Sequence, residues 1–416
     1  MKKYVRTERI FFYSIVLLFW TLVLCGGNTA PGFAAEPELP ENPAIGSEVF
    51  IRKGCINCHT ILGEGGTVGP DLGNIQLHLS FMDLAGIMWN HSPAMERKFR
   101  EEKFRRPRLT SEEIKNLMAF LYFLDYFDKP GNPVEGEELF QEKRCSTCHS
   151  LGGKGGMLLF PPPPSLDRFK QYVSPIFFTT AMWNAMKNMN QAMRAQHRQI
   201  GRRPLFREND VADILSYIKA AGIVKEEYNR VYITPGNPNT GRALFVEKKC
   251  VQCHTTGRPG ERGKYSVRAQ DLMGSLTQIA GTIWNHGRKM WTQVEESDLA
   301  ILEVTEEEMS DLIAYLYFLQ YEDEPGDPLR GKQLFQENEK GCHKCHPIRG
   351  AGGDKEIAPD LVTEKNLDTP VDIVRAMWNH GTEMEEKMKE KGVTWPKMKE
   401  GEMKDLIEFI WFERAK

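Results

Sequence analysis

Four copies of one pentad constrain this chain more than any other feature: Cys55-Ile56-Asn57-Cys58-His59, Cys145-Ser146-Thr147-Cys148-His149, Cys250-Val251-Gln252-Cys253-His254 and Cys342-His343-Lys344-Cys345-His346. Their first cysteines stand 90, 105 and 92 residues apart, which leaves room for one small domain per copy. The flanks repeat as well. Gly46, Gly136, Gly241 and, after a small insertion, Gly331 precede the pentads, and each is followed four residues on by Phe50, Phe140, Phe245 or Phe335. That stretch reads as a short helix running into the motif. Beyond the pentad lie a glycine-rich loop and then Pro70-Asp71-Leu72, Pro164-Ser165-Leu166, Gln270-Asp271-Leu272 and Pro359-Asp360-Leu361. A Trp-Asn pair comes next in every copy, at Trp89-Asn90, Trp183-Asn184, Trp284-Asn285 and Trp378-Asn379, with Met95, Met189, Met290 and Met384 six residues after each tryptophan.

Each copy closes on an amphipathic pattern, over 114–124, 211–221, 309–319 and 403–412. Apolar residues recur there at helical spacing, as in Ile114, Leu117, Met118 and Leu121. Linkers of the form Pro-Gly-Asn/Asp-Pro, at 130–133, 235–238 and 325–328, stop one helix and start the next. No segment alternates with period two. The expected fold is all-α, in four tandem units at 43–130, 131–234, 235–327 and 328–416, after an N-terminal segment at 1–35.

The pentad has a chemical meaning. Eight of the nine cysteines belong to it, so a disulfide framework is a poor reading. Two cysteines three apart lie one helical turn apart on the same side, with the next residue beside the second. Both thiols can therefore add to the vinyl groups of one porphyrin while the histidine reaches its iron, which is the attachment signature of c-type haem. A zinc site wants four ligands and one pentad offers three. A redox dithiol would sit in a βαβ setting that is absent, and an iron–sulfur cluster would want more cysteines per unit. The expectation is four covalent haems c, held by Cys55, Cys58, Cys145, Cys148, Cys250, Cys253, Cys342 and Cys345, with iron bound by His59, His149, His254 and His346.

The Gly-x-x-x-Phe helix before the motif, the Pro-x-Leu stretch after it, and a methionine ahead of a last amphipathic helix resemble the class I cytochromes c, four times over across residues 43–416. The resemblance implies that the first and last helices of each unit cross. It also implies that a methionine is the distal iron ligand, which assigns Met95, Met189, Met290 and Met384, and that Pro70, Pro164 and Pro359 orient the proximal imidazoles through their carbonyl region. Gln270 breaks that pattern in the third unit.

A second set of candidates competes for the distal position. His91, His286 and His380 lie two residues after the tryptophan and four before the methionine, on one helix face with it. The second copy has Ala185 there. Because the methionine recurs in four copies and the histidine in three, methionine is the expected ligand, and the histidines are expected to hydrogen-bond a propionate or backbone. In the second copy Met186 and Met193 flank Met189, so either could replace it or simply fill the core. The tryptophans are expected on the haem edge with the indole N–H on a propionate or carbonyl, or as plain core residues. His78, His197 and His343 are read as surface or local hydrogen-bond residues.

Iron closed by histidine and thioether has a raised potential and no open position. Four such haems make an electron relay between redox proteins of a respiratory chain, with a catalytic role set at none. Two alternatives stand beside it: an oxidoreductase with one open haem, in the second unit, that reduces a small oxidant, and a cytochrome subunit of a membrane redox complex. The chain carries 54 Lys+Arg against 57 Asp+Glu, a net −3 that gives no reason to expect nucleic acid. Its charge is uneven: the second unit is at about +4 and the third at about −6. Basic clusters at 97–108 and 194–207 and an acidic stretch at 295–311 follow the proposed ligands, and are expected either to steer partners or to be ordinary solvated faces. At the N-terminus Lys2, Lys3, Arg6 and Arg9 precede an apolar run over 10–25 and then small residues, the layout of a bacterial export signal. A periplasmic protein is expected, with the signal cleaved or kept as an anchor, or with lipid at Cys25.

Overall fold

The computed structural model describes residues 43–416 apart from 62, 76–78, 127, 157–161, 170–173, 197–203, 222–235, 257–262, 268–271, 273, 298–302 and 322. The export segment, Cys25, His78, His197 and Gln270 lie outside the described residues. Repeat 1 carries α1 (Ile45–Arg52), α2 (Phe81–Glu101) and α3 (Ser111–Phe123). Repeat 2 carries α4 (Pro133–Glu142), α5 (Pro175–Ala195) and α6 (Asp210–Ala220). Repeat 3 carries α7 (Pro238–Glu247), α8 (Leu276–Glu296) and α9 (Glu306–Tyr317). Repeat 4 carries α10 (Pro328–Gln336), α11 (Pro370–Asn379), α12 (Gly381–Glu390) and α13 (Glu402–Ala415). Paired strands among the described residues are two residues long, as at Thr60–Ile61 with Glu64–Gly65. The all-α reading holds.

Local sequence sets these helix starts. Asn132, Asn237 and Asp327 of the linkers accept N–H bonds from the turn they begin, and the following proline takes the first helical position, where no N–H is needed. Thr110 with Glu113, Ser275 with Gln278, Thr305 with Glu308, and Thr369 with Asp372 close capping boxes.

The first and last helices of every repeat cross at the repeated glycine. A Cβ on Gly46, Gly136, Gly241 or Gly331 would lie 1.9–2.0 Å from the carbonyl oxygen of Asn116, Asp213, Asp311 or Asp405 on the last helix. Only glycine lets the two backbones meet so closely. One turn on, the repeated phenylalanine packs on an aromatic of that helix. Phe50 meets Phe120 at 5.9 Å between ring centres, and Phe140–Tyr217, Phe245–Tyr315 and Phe335–Phe409 each lie at 5.6 Å.

Repeats do not pack in chain order. Repeat 4 packs on repeat 1, through α13 and α11 against α2 and α11 against α3. Repeat 3 packs on repeat 2, through α8 and α9 against α5 and α8 against α6. Repeats 1 and 3 then join around an aromatic cluster. Tyr122 Oη donates to the Tyr317 carbonyl at 2.9 Å, and Tyr317 Oη donates to the Tyr122 carbonyl at 2.9 Å, so positions 195 apart in sequence exchange the same bond. The spatial order is 4-1-3-2. A pseudo-twofold through the tyrosine pair relates 1 to 3 and places 2 and 4 at matching ends.

The same join holds a pH-dependent contact. Asp323 accepts the Met82 N–H at 2.9 Å, and burial pushes its carboxyl up to about 6. A carboxyl whose folded value lies above its unfolded value favours the folded state most at low pH, and stability falls as pH rises through that value. Between about pH 4 and pH 7 this group is expected to remove about 2 kcal/mol. Asp323→Asn keeps an acceptor for Met82. It should flatten that slope and leave the variant about 2 kcal/mol more stable than the parent at pH 7, read as denaturant midpoints at the two pH values.

Candidate haem sites

Each pentad forms a single turn entered through a left-handed residue. Gly54, Arg144, Lys249 and Gly341 have φ of 79°, 60°, 63° and 70°. Two of these are not glycine, so the surrounding fold imposes the conformation. The turn is 3-10 at Cys55–Asn57, Cys250–Gln252 and Cys342–Lys344, and α at Cys145–Cys148. The eight thiols are unpaired and half-buried. Burial pushes Cys55, Cys250 and Cys342 up to about 11 and Cys145 up to about 12. Such sites disfavour a thiolate metal ligand and suit a neutral thioether.

In three repeats the histidine of the pentad is oriented by the proline that the resemblance named. Nδ1 of His59, His149 and His346 lies 3.1 Å from the carbonyl oxygen of Pro70, Pro164 and Pro359. A carbonyl only accepts, so Nδ1 carries the proton and Nε2 keeps the lone pair an iron needs. A Cβ on Gly69 would stand 2.5 Å from the His59 ring, so that glycine lets the loop close over the imidazole. His254 Nδ1 is buried, with no proline carbonyl against it among the described residues. Two thiols and an imidazole aimed through Nε2 are a donor set that fits a covalent haem.

Each Trp-Asn pair reaches across to a neighbouring repeat. The segments 107–109, 204–206, 303–304 and 396–398 run as straps just ahead of the last helices, and each is held by the repeat packed against it. Asn90 donates to the Met398 carbonyl at 2.7 Å and accepts its N–H at 2.7 Å. Asn379 does the same to Leu109 (2.8 and 2.9 Å), Asn184 to Val304 (2.9 and 3.1 Å) and Asn285 to Phe206 (2.7 and 2.9 Å). Indole N–H groups of Trp89, Trp284 and Trp378 donate to Pro396, Pro204 and Pro107 carbonyls at 2.8–3.0 Å. A carbonyl partner is thus present for three of the four, on the neighbouring repeat, while the buried Trp183 indole N–H has none among the described residues.

One element escaped the sequence reading. A lysine stands two residues before the first cysteine of every pentad, and its ammonium donates to a backbone carbonyl of its own strap. Lys53 reaches Arg108, Lys143 reaches Leu205 and Lys248 reaches Glu303 at 2.7, 2.9 and 3.1 Å, and Lys340 contacts Lys397 likewise. The same lysines pair with Glu113, Asp210, Glu308 and Glu402 on or beside the last helix. The signal that reveals it is the fourfold recurrence, which is visible in the sequence.

The distal candidates lie on α2, α5, α8 and α12. Met95 packs against the apolar cluster centred on repeats 1, 3 and 4, and Met189 and Met290 against that shared by repeats 2 and 3. Met186 is fully buried in the latter, a core residue. His91 faces His59 with ring centres 6.3 Å apart, and His286 faces His254 at 5.7 Å. The helix in repeat 4 breaks at His380, between α11 and α12. His343 bonds the Phe335 carbonyl at 3.2 Å, a local contact as expected.

The sequence profile of the cytochrome c family matches residues 43–124, 133–222 and 329–412, together more than half of the chain. The chain belongs to the cytochrome c family. The cytochrome is also similar to a nitric oxide reductase subunit of Cereibacter sphaeroides, 30% identical over 108 residues, which cover 24% of this chain and 71% of that one. Against the same subunit from Paracoccus denitrificans it is 32% identical over 94 residues (21% and 61%), and against that from Stutzerimonas stutzeri 38% over 66 residues (16% and 43%). Each similarity spans about one repeat of this cytochrome. No solved structure matches it. It is a multi-domain cytochrome c with an electron-transfer role, and its domains imply covalently bound haem c.

The charged clusters turn out to be partly internal to the cytochrome. Arg106, within the first basic stretch, is buried: it stacks over Trp378 at 4.1 Å, pairs with Glu96 at 3.5 Å and donates to Ser92 Oγ at 2.9 Å. Arg194 of the second stretch pairs with Glu295 of the acidic one at 3.4 Å. These charges join repeats as well as facing solvent. Among the described residues no helix is long and apolar enough to cross a membrane.

Proposed function

We propose that this cytochrome is an exported tetrahaem relay, with one haem c in each of the units 43–130, 131–234, 235–327 and 328–416. The haems are bound through the eight pentad cysteines and through His59, His149, His254 and His346, and pass electrons along the spatial order 4-1-3-2. The supporting observation is the repeated proximal geometry, an imidazole held through Nδ1 by a proline carbonyl in repeats 1, 2 and 4. The haem supplies one-electron redox chemistry. The protein attaches it, orients its ligands and holds neighbouring repeats together through the straps. Similarity to nitric oxide reductase subunits favours a redox enzyme complex of that type as the acceptor.

Pyridine haemochrome on the purified protein should count four haems per chain. The reduced protein should be oxidised rapidly by the catalytic part of a nitric oxide reductase, and cell fractionation should find it outside the cytoplasm. Fewer than four haems, or carbon monoxide bound by the reduced protein, would count against a closed tetrahaem relay.

A further inference from the structure

We infer that His91 and His286, in place of Met95 and Met290, are the distal iron ligands in repeats 1 and 3. The inference rests on the reading that each repeat holds a haem and adds which side chain closes it. An imidazole binds a first-row metal through nitrogen at about 2 Å, with its ring centre about 1 Å further out, so two imidazoles on opposite sides of one ion have ring centres roughly 6 Å apart. The His59–His91 and His254–His286 separations are 6.3 and 5.7 Å. Both pairs are tilted, by 51° and 59°, so the two rings oppose each other in the same way in both repeats.

Met95 and Met290 pack against the two apolar clusters, one turn further along the same helices. His91 and His286 are exposed, facing the proximal imidazole from the other side of the site. An exposed polar group held opposite an imidazole in two repeats related by the pseudo-twofold is the arrangement of a ligand. Repeat 2 has Ala185 at this position and no imidazole to offer, which leaves Met189 as its distal ligand. The four sites are therefore of unlike chemistry.

Near-infrared magnetic circular dichroism of the oxidised full-length holoprotein, with haem counted on the same sample, tests the assignment. At least two haems should give bis-imidazole bands. His91→Ala and His286→Ala should each remove one haem's share of them, with restoration by added imidazole. Met95→Leu and Met290→Leu should leave those bands unchanged. Thioether bands from every haem would overturn the inference, and so would histidine variants that leave the spectrum intact while the methionine variants alter it. A haem count below four overturns the tetrahaem reading separately, since the band type of the haems in repeats 1 and 3 still decides the ligand.

Discussion

Alanine in place of both Asn90 and Asn379 is expected to cost about 4 kcal/mol of stability while leaving the haem count unchanged. Each asparagine bonds both the N–H and the C=O of one residue on the opposite strap, as a strand partner would. Truncation leaves two backbone groups without partners in a half-buried interface, at about 1 kcal/mol each or more. Four groups are orphaned in the double variant. The indole bonds of Trp89 and Trp378 survive, so the interface should weaken and not vanish. Each strap also receives the lysine of its own pentad, so loosening it should be felt at the haem. Denaturant curves followed by the haem Soret band and by tryptophan fluorescence would check this. A double variant within about 0.5 kcal/mol of the parent would mean that the strap bonds are replaced by water at no cost.

The sites were legible in the sequence because their chemistry is local. The pentad, the orienting proline and the capping linkers each act within about fifteen residues, and the crossing glycine is marked by its spacing from the phenylalanine. Arrangement of the repeats was not legible, for a physical reason: four copies of one pattern present four equivalent Trp-Asn pairs and four equivalent straps. Nothing within a copy says that Asn379 takes Leu109 and not a strap in repeat 2 or 3. Only the particular surfaces decide, as where Arg106 inserts against Trp378 while Trp395, at the matching place in repeat 4, stacks on Trp89 at 4.1 Å. One member of the basic cluster is not a solvated charge. Arg106 counts as a positive charge in a sequence window, and in the fold it is a buried joint. The chemistry of a buried indole predicts a propionate or carbonyl partner or a plain core place, and of the carbonyl partners found two belong to residues 271 or 307 positions away.

Ala185→His is the substitution with the largest expected redox effect. Repeats 2 and 4 occupy matching ends of the 4-1-3-2 order, yet repeat 4 keeps His380 where repeat 2 has Ala185. A thioether favours the reduced iron relative to imidazole, so on the proposed assignment a haem closed by Met189 has a higher potential than the bis-imidazole haems of repeats 1 and 3. Electrons on repeats 1 and 3 then favour the repeat 2 end, and that part of the order acquires a direction. Restoring histidine at 185 presents the repeat 2 iron with the imidazole that repeats 1 and 3 offer. Its potential should fall by on the order of 0.1–0.3 V, a fraction of the ~0.8 V that axial ligands command. At about 59 mV per tenfold for one electron, even 0.1 V changes the equilibrium share of that haem about fifty-fold. Spectroelectrochemical titration should lose its highest-potential wave, and oxidation by the acceptor should slow because the exit is no longer downhill. If the highest wave stays in place in the variant, the thioether site lies in another repeat, and the direction of flow has to be drawn from there.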